Sequence, residues 1–339
     1  MNILGIGNAL VDSILELKED RILVDLGLPK GSMQLIDSDK LKSIIEQTRG
    51  FKASQAAGGS ASNTITSLAH LGVKTGFIGK IGKDDTGQFY KNDLLSRGVE
   101  PNLLEGDLPS GTAIAFVSAD GERTFATYLG AAATLAPEDL TPEMFAGYTL
   151  FHVEGYLVQS YALIEKAMKL AKEAGCTVSI DLASYNVVED HHAFMHRLVE
   201  EYVDIVFANE EEAKAFTGKE PLEALKEIAQ QSRIAIVKTG PKGALAMCAE
   251  EIASVPAISA TCVDTNGAGD AFAAGFLFGI TQNCSLATCA TMGTVLAGNV
   301  VEVTGPKMDA ARWIQIEQIL QPILQADPNR EVQKNIVRD

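Results

Sequence analysis

Apolar and polar positions follow two rhythms along most of the chain. Short, nearly continuous apolar runs at residues 2–7, 75–81, 150–155, 177–182, 204–208 and 233–239 predict strands buried on both faces. Between them, residues 60–71, 86–97, 160–174, 190–201, 210–216 and 222–232 carry helical patterns. Strand and helix in turn predict a three-layer α/β/α sandwich around a mainly parallel sheet. Such sheets bind ligands at the carboxyl ends of their strands.

One stretch breaks the rhythm. Residues 111–118 and 123–128 are β-rich runs joined by Ala119-Asp120-Gly121-Glu122, and Asp-Gly between strands signals a hairpin. With residues 11–17 and 32–36, also extended and of mixed polarity, they predict a small separate β-sheet. It would form a lid over one end of the larger sheet, drawn from about 11–36 and 109–130. An antiparallel edge extension of the main sheet is the alternative. From Asp270 onward the pattern is helical, at 270–280, 285–300 and 309–325, and a polar tail follows at 326–339. No internal repeat or low-complexity linker divides residues 1–325, which read as one domain.

Composition narrows the chemistry. The 339 residues include 44 acidic and 28 basic side chains, a net charge of −16. That charge repels polyanions and argues against non-specific nucleic-acid binding. Five cysteines without CxxC or metal-ligand spacing read as small buried hydrophobes in a reducing compartment. No apolar run reaches membrane-spanning length and the first residues lack a signal-peptide pattern, so the cytoplasm is expected and no membrane partner. His191, His192 and His196 share a helix without Cys or carboxylate partners at useful spacing, and read as a polar face rather than a metal site.

The familiar phosphate-binding motifs are absent. Gly79-Lys80 is followed by Ile81 and Gly82-Lys83 by Asp84, so neither is a Walker loop. Gly5-Ile6-Gly7 begins a dinucleotide fingerprint, but Leu10 stands where its third glycine belongs. The segment Val263 to Phe272 is different. Two glycines and an alanine directly before a helix let several N–H groups turn inward, and the helix's positive end adds to their field. Asp270 within such an anion pocket makes little sense as a phosphate ligand. It suits a base that takes a proton from a nucleophile while the amides hold the charge of a transferring group. A helix N-cap after a glycine-rich turn is the plainer alternative.

Asp264-Thr265-Asn266-Gly267-Ala268-Gly269-Asp270-Ala271-Phe272 closely resembles the D-T-x-G-A-G-D-x-F signature of the PfkB (ribokinase-like) carbohydrate kinase family. The resemblance implies Asp270 as catalytic base, with the amides of Gly267, Ala268 and Gly269 as the anion hole. Gly58-Gly59-Ser60-Ala61-Ser62-Asn63 is similar to the family's G-G-x-x-x-N, which implies close substrate approach at the glycines and a hydroxyl contact at Asn63. Gly7-Asn8 with Asp12 resembles the adenosine kinase branch, and implies that Asp12 accepts hydrogen bonds from vicinal sugar hydroxyls near Asn8. In that branch the purine packs between a lid residue and a residue after the mid-sheet strand, for which Leu35 and Tyr156 are the candidates.

Further elements follow in family order. Asn209 and Glu212 are similar to an N-x-x-E element that orders Mg²⁺ through water; an N-capped acidic helix start is the alternative. Lys238 to Gly243 resembles a nucleotide loop, which would put Thr239, Gly240 and Gly243 near the phosphates or ribose. Arg123, at the lid hairpin, would reach the phosphoryl group or a lid partner, or stand as a solvated charge. Asn299 and residues 303–305 fall where the family lines its adenine pocket, and Asp264 where many members hold a monovalent cation such as K⁺. The resemblance implies ATP- and Mg²⁺-dependent phosphorylation of a primary hydroxyl on adenosine or another nucleoside. A free-sugar kinase of ribose or fructose type is the alternative, and a catalytically idle sugar or nucleoside sensor on the same fold a third reading. A monomer or homodimer is expected.

Overall fold

The computed structural model describes residues 1–51, 53–119 and 122–330. Its strands form two sheets. The larger contains β1 (Ile3–Ile6), β5 (Thr75–Gly82), β6 (Val99–Gly106), β9 (Leu150–Glu154), β10 (Thr177–Asp181), β11 (Ile205–Asn209), β12 (Ile234–Lys238), β13 (Ala244–Cys248) and β14 (Glu251–Val255). Their spatial order is β14-β13-β12-β11-β10-β9-β1-β5-β6. Strands β12 through β6 are all parallel, and β13 and β14 close one edge as an antiparallel hairpin.

Consecutive strand residues serve opposite cores, which is why these strands read as continuous apolar runs. Ile3, Phe77, Phe207 and Ile236 face α3 (Ser60–His70), α4 (Asp85–Ser96), α10 (Ala268–Thr281), α11 (Leu286–Val300) and α12 (Ala310–Gln325). Leu4, Ile78, Val206 and Val237 face α5 (Tyr161–Glu173), α6 (Tyr185–Asp190), α7 (His192–Tyr202), α8 (Glu210–Thr217) and α9 (Pro221–Gln231). The three layers expected from the sequence are present. The chain winds from β1 toward β5 and β6 on one side and from β9 to β12 on the other. The winding therefore reverses between β1 and β9, where a crevice opens at the strands' carboxyl ends.

The second sheet is separate, in the order β3-β8-β7-β2-β4, so the edge-extension alternative falls. Its strands are β2 (Leu10–Glu16), β3 (Met33–Leu35), β4 (Ala53–Gly58), β7 (Gly111–Val117) and β8 (Arg123–Tyr128). Leu15, Ile114, Phe116 and Tyr128 pack with Leu23 of α1 (Arg21–Asp25) and with Leu41 and Ile44 of α2 (Ser38–Gln47). The opposite face presents Leu10, Asp12, Ala113, Phe125 and Thr127 to the crevice.

Several elements depart from the sequence reading. The helix expected at 190–201 begins at His192, after a break at His191 that ends α6. Strands β4, β6, β13 and β14 and helix α2 were not foreseen. β4 reads Ala-Ser-Gln-Ala-Ala-Gly, with no strand-forming side chain, and is extended because it pairs antiparallel with β2. The start of the tail is tied to the body: the buried Asp327 carboxylate accepts hydrogen bonds from the Ser285 N–H at 3.0 Å and its hydroxyl at 2.8 Å. Asp120 and Gly121 of the hairpin turn, and tail residues 331–339, lie outside the described residues.

Candidate active site

A cavity of about 1270 Å³ fills the crevice between the lid and the carboxyl ends of the large sheet. Asp270 lies in its wall, in the first turn of α10. The backbone reaches that turn through Gly267, whose φ of 78° favours glycine, and a Cβ there would run into Pro306. Helix α10 is held against α11 by close backbone approach, since a Cβ on Gly275 would meet the backbone of Met292. The Asp270 carboxylate therefore rides on a fixed element. It accepts from the Ser60 hydroxyl at 2.7 Å and from Asn63 Nδ2 at 2.9 Å, both on α3. Burial raises its pKa to about 6, against the opposing pull of those two hydrogen bonds.

Of the three expected anion-hole amides, the structure leaves two open. The Ala268 N–H donates to the Thr265 carbonyl at 3.1 Å, whereas Gly267 and Gly269 N–H have no acceptor among the described residues. The Asp270 N–H, also in the first turn, is likewise open, and the sequence reading did not include it. Asn63 lines the cavity, its Nδ2 donates to Asp270, and its Oδ1 is buried without a partner among the described residues.

Asp12 projects from β2 toward Gly58 of β4, and any Cβ on Gly58 would overlap its carboxylate. The small residues of β4 are thus the seat of Asp12. Gly59, with φ 91°, turns the chain into α3 where a side chain would strike the Asn8 carbonyl. Burial raises Asp12 to about 7; Lys307 and Arg123 pull against this, and Asp270 adds to it. Lys307, absent from the sequence reading, has a wholly buried Nζ with no hydrogen-bond partner among the described residues. Burial lowers its pKa to about 8, aided by Arg97 and opposed by Asp12, Asp93 and Asp270.

Asn8 lines the cavity, but its side chain donates to Glu154 Oε1 at 2.7 Å. Glu154, at the end of β9, also accepts from the Ala61 N–H at 3.2 Å, so it ties β1 to the start of α3. Burial raises it to about 7, against those hydrogen bonds. Leu35 and Tyr156 lie on the cavity wall from lid and body respectively.

The cavity wall formed by the ends of β10, β11 and β12 carries several charged side chains. Asn209 and Glu212 form a reciprocal cap on α8, with Glu212 accepting from Asn209 N and Nδ2 at 2.7 Å each. The capping alternative is therefore realised. Both residues nonetheless line the cavity beside Asp181 and Lys238, whose Nζ lies 2.7 Å from Asp181 Oδ2. Burial raises Glu212 to about 7, tempered by Lys238. Burial works against the Lys238 charge, yet Asp181, Glu212 and Asp270 together hold its pKa above the ordinary value. No motif assigns a role to the Asp181 carboxylate or the Lys238 ammonium, each of which is the last residue of its strand. Gly240 and Gly243 line the cavity, and the Thr239 N–H donates to the Gly243 carbonyl at 2.8 Å, closing the loop.

Among the described residues, no cluster of three His, Cys, Asp or Glu could hold a metal by itself. The carboxylates of Glu212 and Asp181 are hard oxygen donors of the kind that suit Mg²⁺, and would be the residues to hold such an ion if it arrived with a polyphosphate. Asn299 is a correction: its Nδ2 donates to the Val295 carbonyl at 2.9 Å, and the wall there is Thr294, Ala297, Gly298 and Val301. Arg123 is neither solvated nor in the cavity wall. Its Nη2 lies 2.6 Å from Asp264 Oδ2, in a buried ion pair between lid and body. The Nε2 atoms of His192 and His196 both lie within hydrogen-bond distance of the Phe216 carbonyl, at 3.1 and 2.8 Å.

Comparison with known proteins bears on the family and the fold. The model of the pfkB family carbohydrate kinases matches residues 33–311. Adenosine kinase of Saccharomyces cerevisiae is 30% identical over 313 residues, covering 86% of this chain and 88% of that protein. A fructokinase of Klebsiella pneumoniae is 31% identical over 242 residues, 67% of this chain and 77% of that protein. The crystal structure of adenosine kinase from Sinorhizobium meliloti superposes with a TM-score of 0.83 at 34% identity, covering 94% of this chain and 98% of that one.

Proposed function

The chain belongs to the pfkB family of carbohydrate kinases, and from that premise we propose that it transfers the γ-phosphoryl group of ATP to the 5′-hydroxyl of a nucleoside, adenosine first. Its fold is the ribokinase-like α/β fold, and its chemistry is that of a phosphotransferase with an alcohol acceptor. We take residues 1–325 as one kinase domain with the lid at about 11–36 and 109–130, and 326–339 as a tail. We take the setting to be the reducing cytoplasm, in keeping with five cysteines that show no CxxC spacing.

One observation carries the reading. A carboxylate of raised pKa stands in a cavity wall at a helix N-terminus, steadied by two side-chain donors and bordered by open backbone N–H groups. In this reading Asp270 takes the proton of the acceptor hydroxyl as the hydroxyl oxygen attacks the γ-phosphorus in line, and the bond from that phosphorus to the β,γ-bridging oxygen breaks, with ADP as the leaving group. The proton moves to Asp270 Oδ, and the open amides of Gly267, Gly269 and Asp270 hold the charge of the transferring group. Asp12 orients the sugar by accepting from its vicinal hydroxyls. Glu212, Asp181 and Lys238 border the phosphates. Magnesium bound with the nucleotide spreads charge over the phosphate oxygens. The lid excludes water, which would otherwise accept the phosphoryl group.

Leu35 and Tyr156 on opposite walls of a cavity this large support a nucleobase between lid and body. The free-sugar alternative has the fructokinase relative in its favour, and needs no apolar sandwich. An ADP-release screen over adenosine, other nucleosides, ribose and fructose separates the two. Efficient turnover of fructose or ribose without competition from adenosine would overturn the nucleoside assignment. Asp270→Asn should lower kcat by about 10²–10⁴ on whichever acceptor is used. Near-wild-type turnover would remove Asp270 from the role of base.

A further inference from the structure

The family resemblance implies a monovalent cation at Asp264, and the residues present do not fit one. Asp264 is 9% exposed, and three donors converge on its carboxylate. The Gly305 N–H donates to Oδ2 at 2.6 Å and the Asn266 N–H to Oδ1 at 3.1 Å. The third is Arg123, at 2.6 Å from Oδ2, with 12% of its side chain exposed. The position a diffusible cation would take against Oδ2 holds a guanidinium, and its Nη1 is buried without a partner among the described residues.

The need for a positive charge there is plain from the loop. Asp264 is six positions before Asp270, at the start of the turn whose open amides face the incoming anion. An unbalanced carboxylate in the turn that carries those amides would repel the phosphoryl group they serve. A positive charge on Asp264 removes the repulsion, whether it diffuses in or is tethered. Here it is tethered to β8 of the lid, on the strand face that also carries Phe125 and Thr127 toward the cavity.

We infer that the Arg123 guanidinium takes the place of the monovalent cation at Asp264, so that phosphoryl transfer by this protein does not depend on potassium and the charge in the anion-hole turn is balanced only when the lid is down. Arg123 is then a positioning residue that acts through the loop. The inference rests on the phosphotransfer reading. It adds a reason for the lid to control turnover: lifting β8 withdraws the charge and leaves Asp264 opposing the anion.

The test compares initial rates in potassium chloride and choline chloride at equal ionic strength, with saturating Mg·ATP and the best acceptor of the screen. Wild-type rates should agree within about twofold. Arg123→Gln, which keeps a polar side chain without charge, should lose about 10²–10³ in kcat, the scale of an anion-hole donor. Potassium or guanidinium ion should return at least about a tenth of that loss as rate, while choline should not. The double variant Arg123→Gln/Asp264→Asn, which removes both charges, should turn over faster than Arg123→Gln alone. Melting temperature supplies a readout free of turnover: potassium should leave wild type unchanged relative to choline and stabilise Arg123→Gln. A wild type stimulated about tenfold by potassium, or stabilised by it, overturns the inference and leaves the kinase reading standing. So does an Arg123→Gln variant that is impaired yet indifferent to every cation, which would give Arg123 a purely structural role. Absence of turnover with any acceptor in either salt would instead remove the phosphotransfer reading and this inference with it.

Discussion

Replacing Ser60 with alanine should move the acid limb of the pH profile without changing its plateau. The Ser60 hydroxyl donates to Asp270 Oδ1 at 2.7 Å, and a hydrogen bond of this kind stabilises the ionised carboxylate. A bond to a charged group contributes about 1.5–3 kcal/mol, and one pKa step corresponds to about 1.4 kcal/mol. Water can replace part of the bond at a half-buried site, so the lower end applies. The limb should therefore move from about pH 6 to about pH 7 in Ser60→Ala. The sign follows from the role of the base. Asp270 works ionised, so a raised pKa lowers activity on the acid side and leaves the alkaline side alone. At pH 6 about half of the wild-type sites and about a tenth of the variant sites would be ionised, a roughly fivefold difference in rate. By pH 8.5 the two should agree within experimental scatter. The readout is kcat, or the single-turnover rate where product release limits kcat, with both substrates saturating. Acceptor KM is unsuitable, because Asp12 titrates near 7 and acts on binding. Bound ATP lifts both limbs alike, so the displacement between the curves is the quantity tested. Coincident limbs with an intact plateau would refute the assignment of Asp270 as the titrating base.

Three other perturbations probe the acceptor side. Gly58→Ala should displace Asp12 and raise acceptor KM about tenfold or more while ATP KM stays within about twofold; an unchanged acceptor KM in steady-state assays would show that Asp12 is not seated there. Lys307→Met removes a charge that holds the Asp12 pKa down, so acceptor KM should rise at pH 7 and converge on wild type by pH 9, with Lys307→Arg retaining the wild-type profile. Profiles that superpose at every pH would separate Lys307 from Asp12. Leu35→Ala should weaken adenosine by about 1–3 kcal/mol in calorimetry and leave a free pentose unaffected, since only a nucleoside has a base to cover the leucine. Equal losses for both ligands would place Leu35 outside a base subsite.

The layered fold was legible in the sequence because burial on both faces writes itself locally. Every residue of β1 and β9 must be apolar or paired, and a run such as Ile3–Ile6 has few alternatives. The Asp270 loop was legible for a similar reason: glycine at 267, a helix start and a carboxylate are all set within a few residues. What depends on the partner across space was not legible. β4 has no strand signal of its own and exists because β2 pairs with it, with Asp12 filling the space a Cβ on Gly58 would take. Asp181 and Lys238 look like ordinary polar strand ends until they meet 2.7 Å apart. Asn63 reads as a substrate ligand, and only the packing of α3 on α10 turns its amide toward Asp270. Arg123 and Asp264 are 141 positions apart, and nothing local to either one indicates that a lid charge neutralises a loop carboxylate. Local propensity and burial period are properties of one segment, so the sequence determines the elements and the chemistry each can carry. Which charges are balanced, which donors are occupied and which pKa values shift depend on distance and dielectric between segments, and those are decided only when the tertiary structure closes.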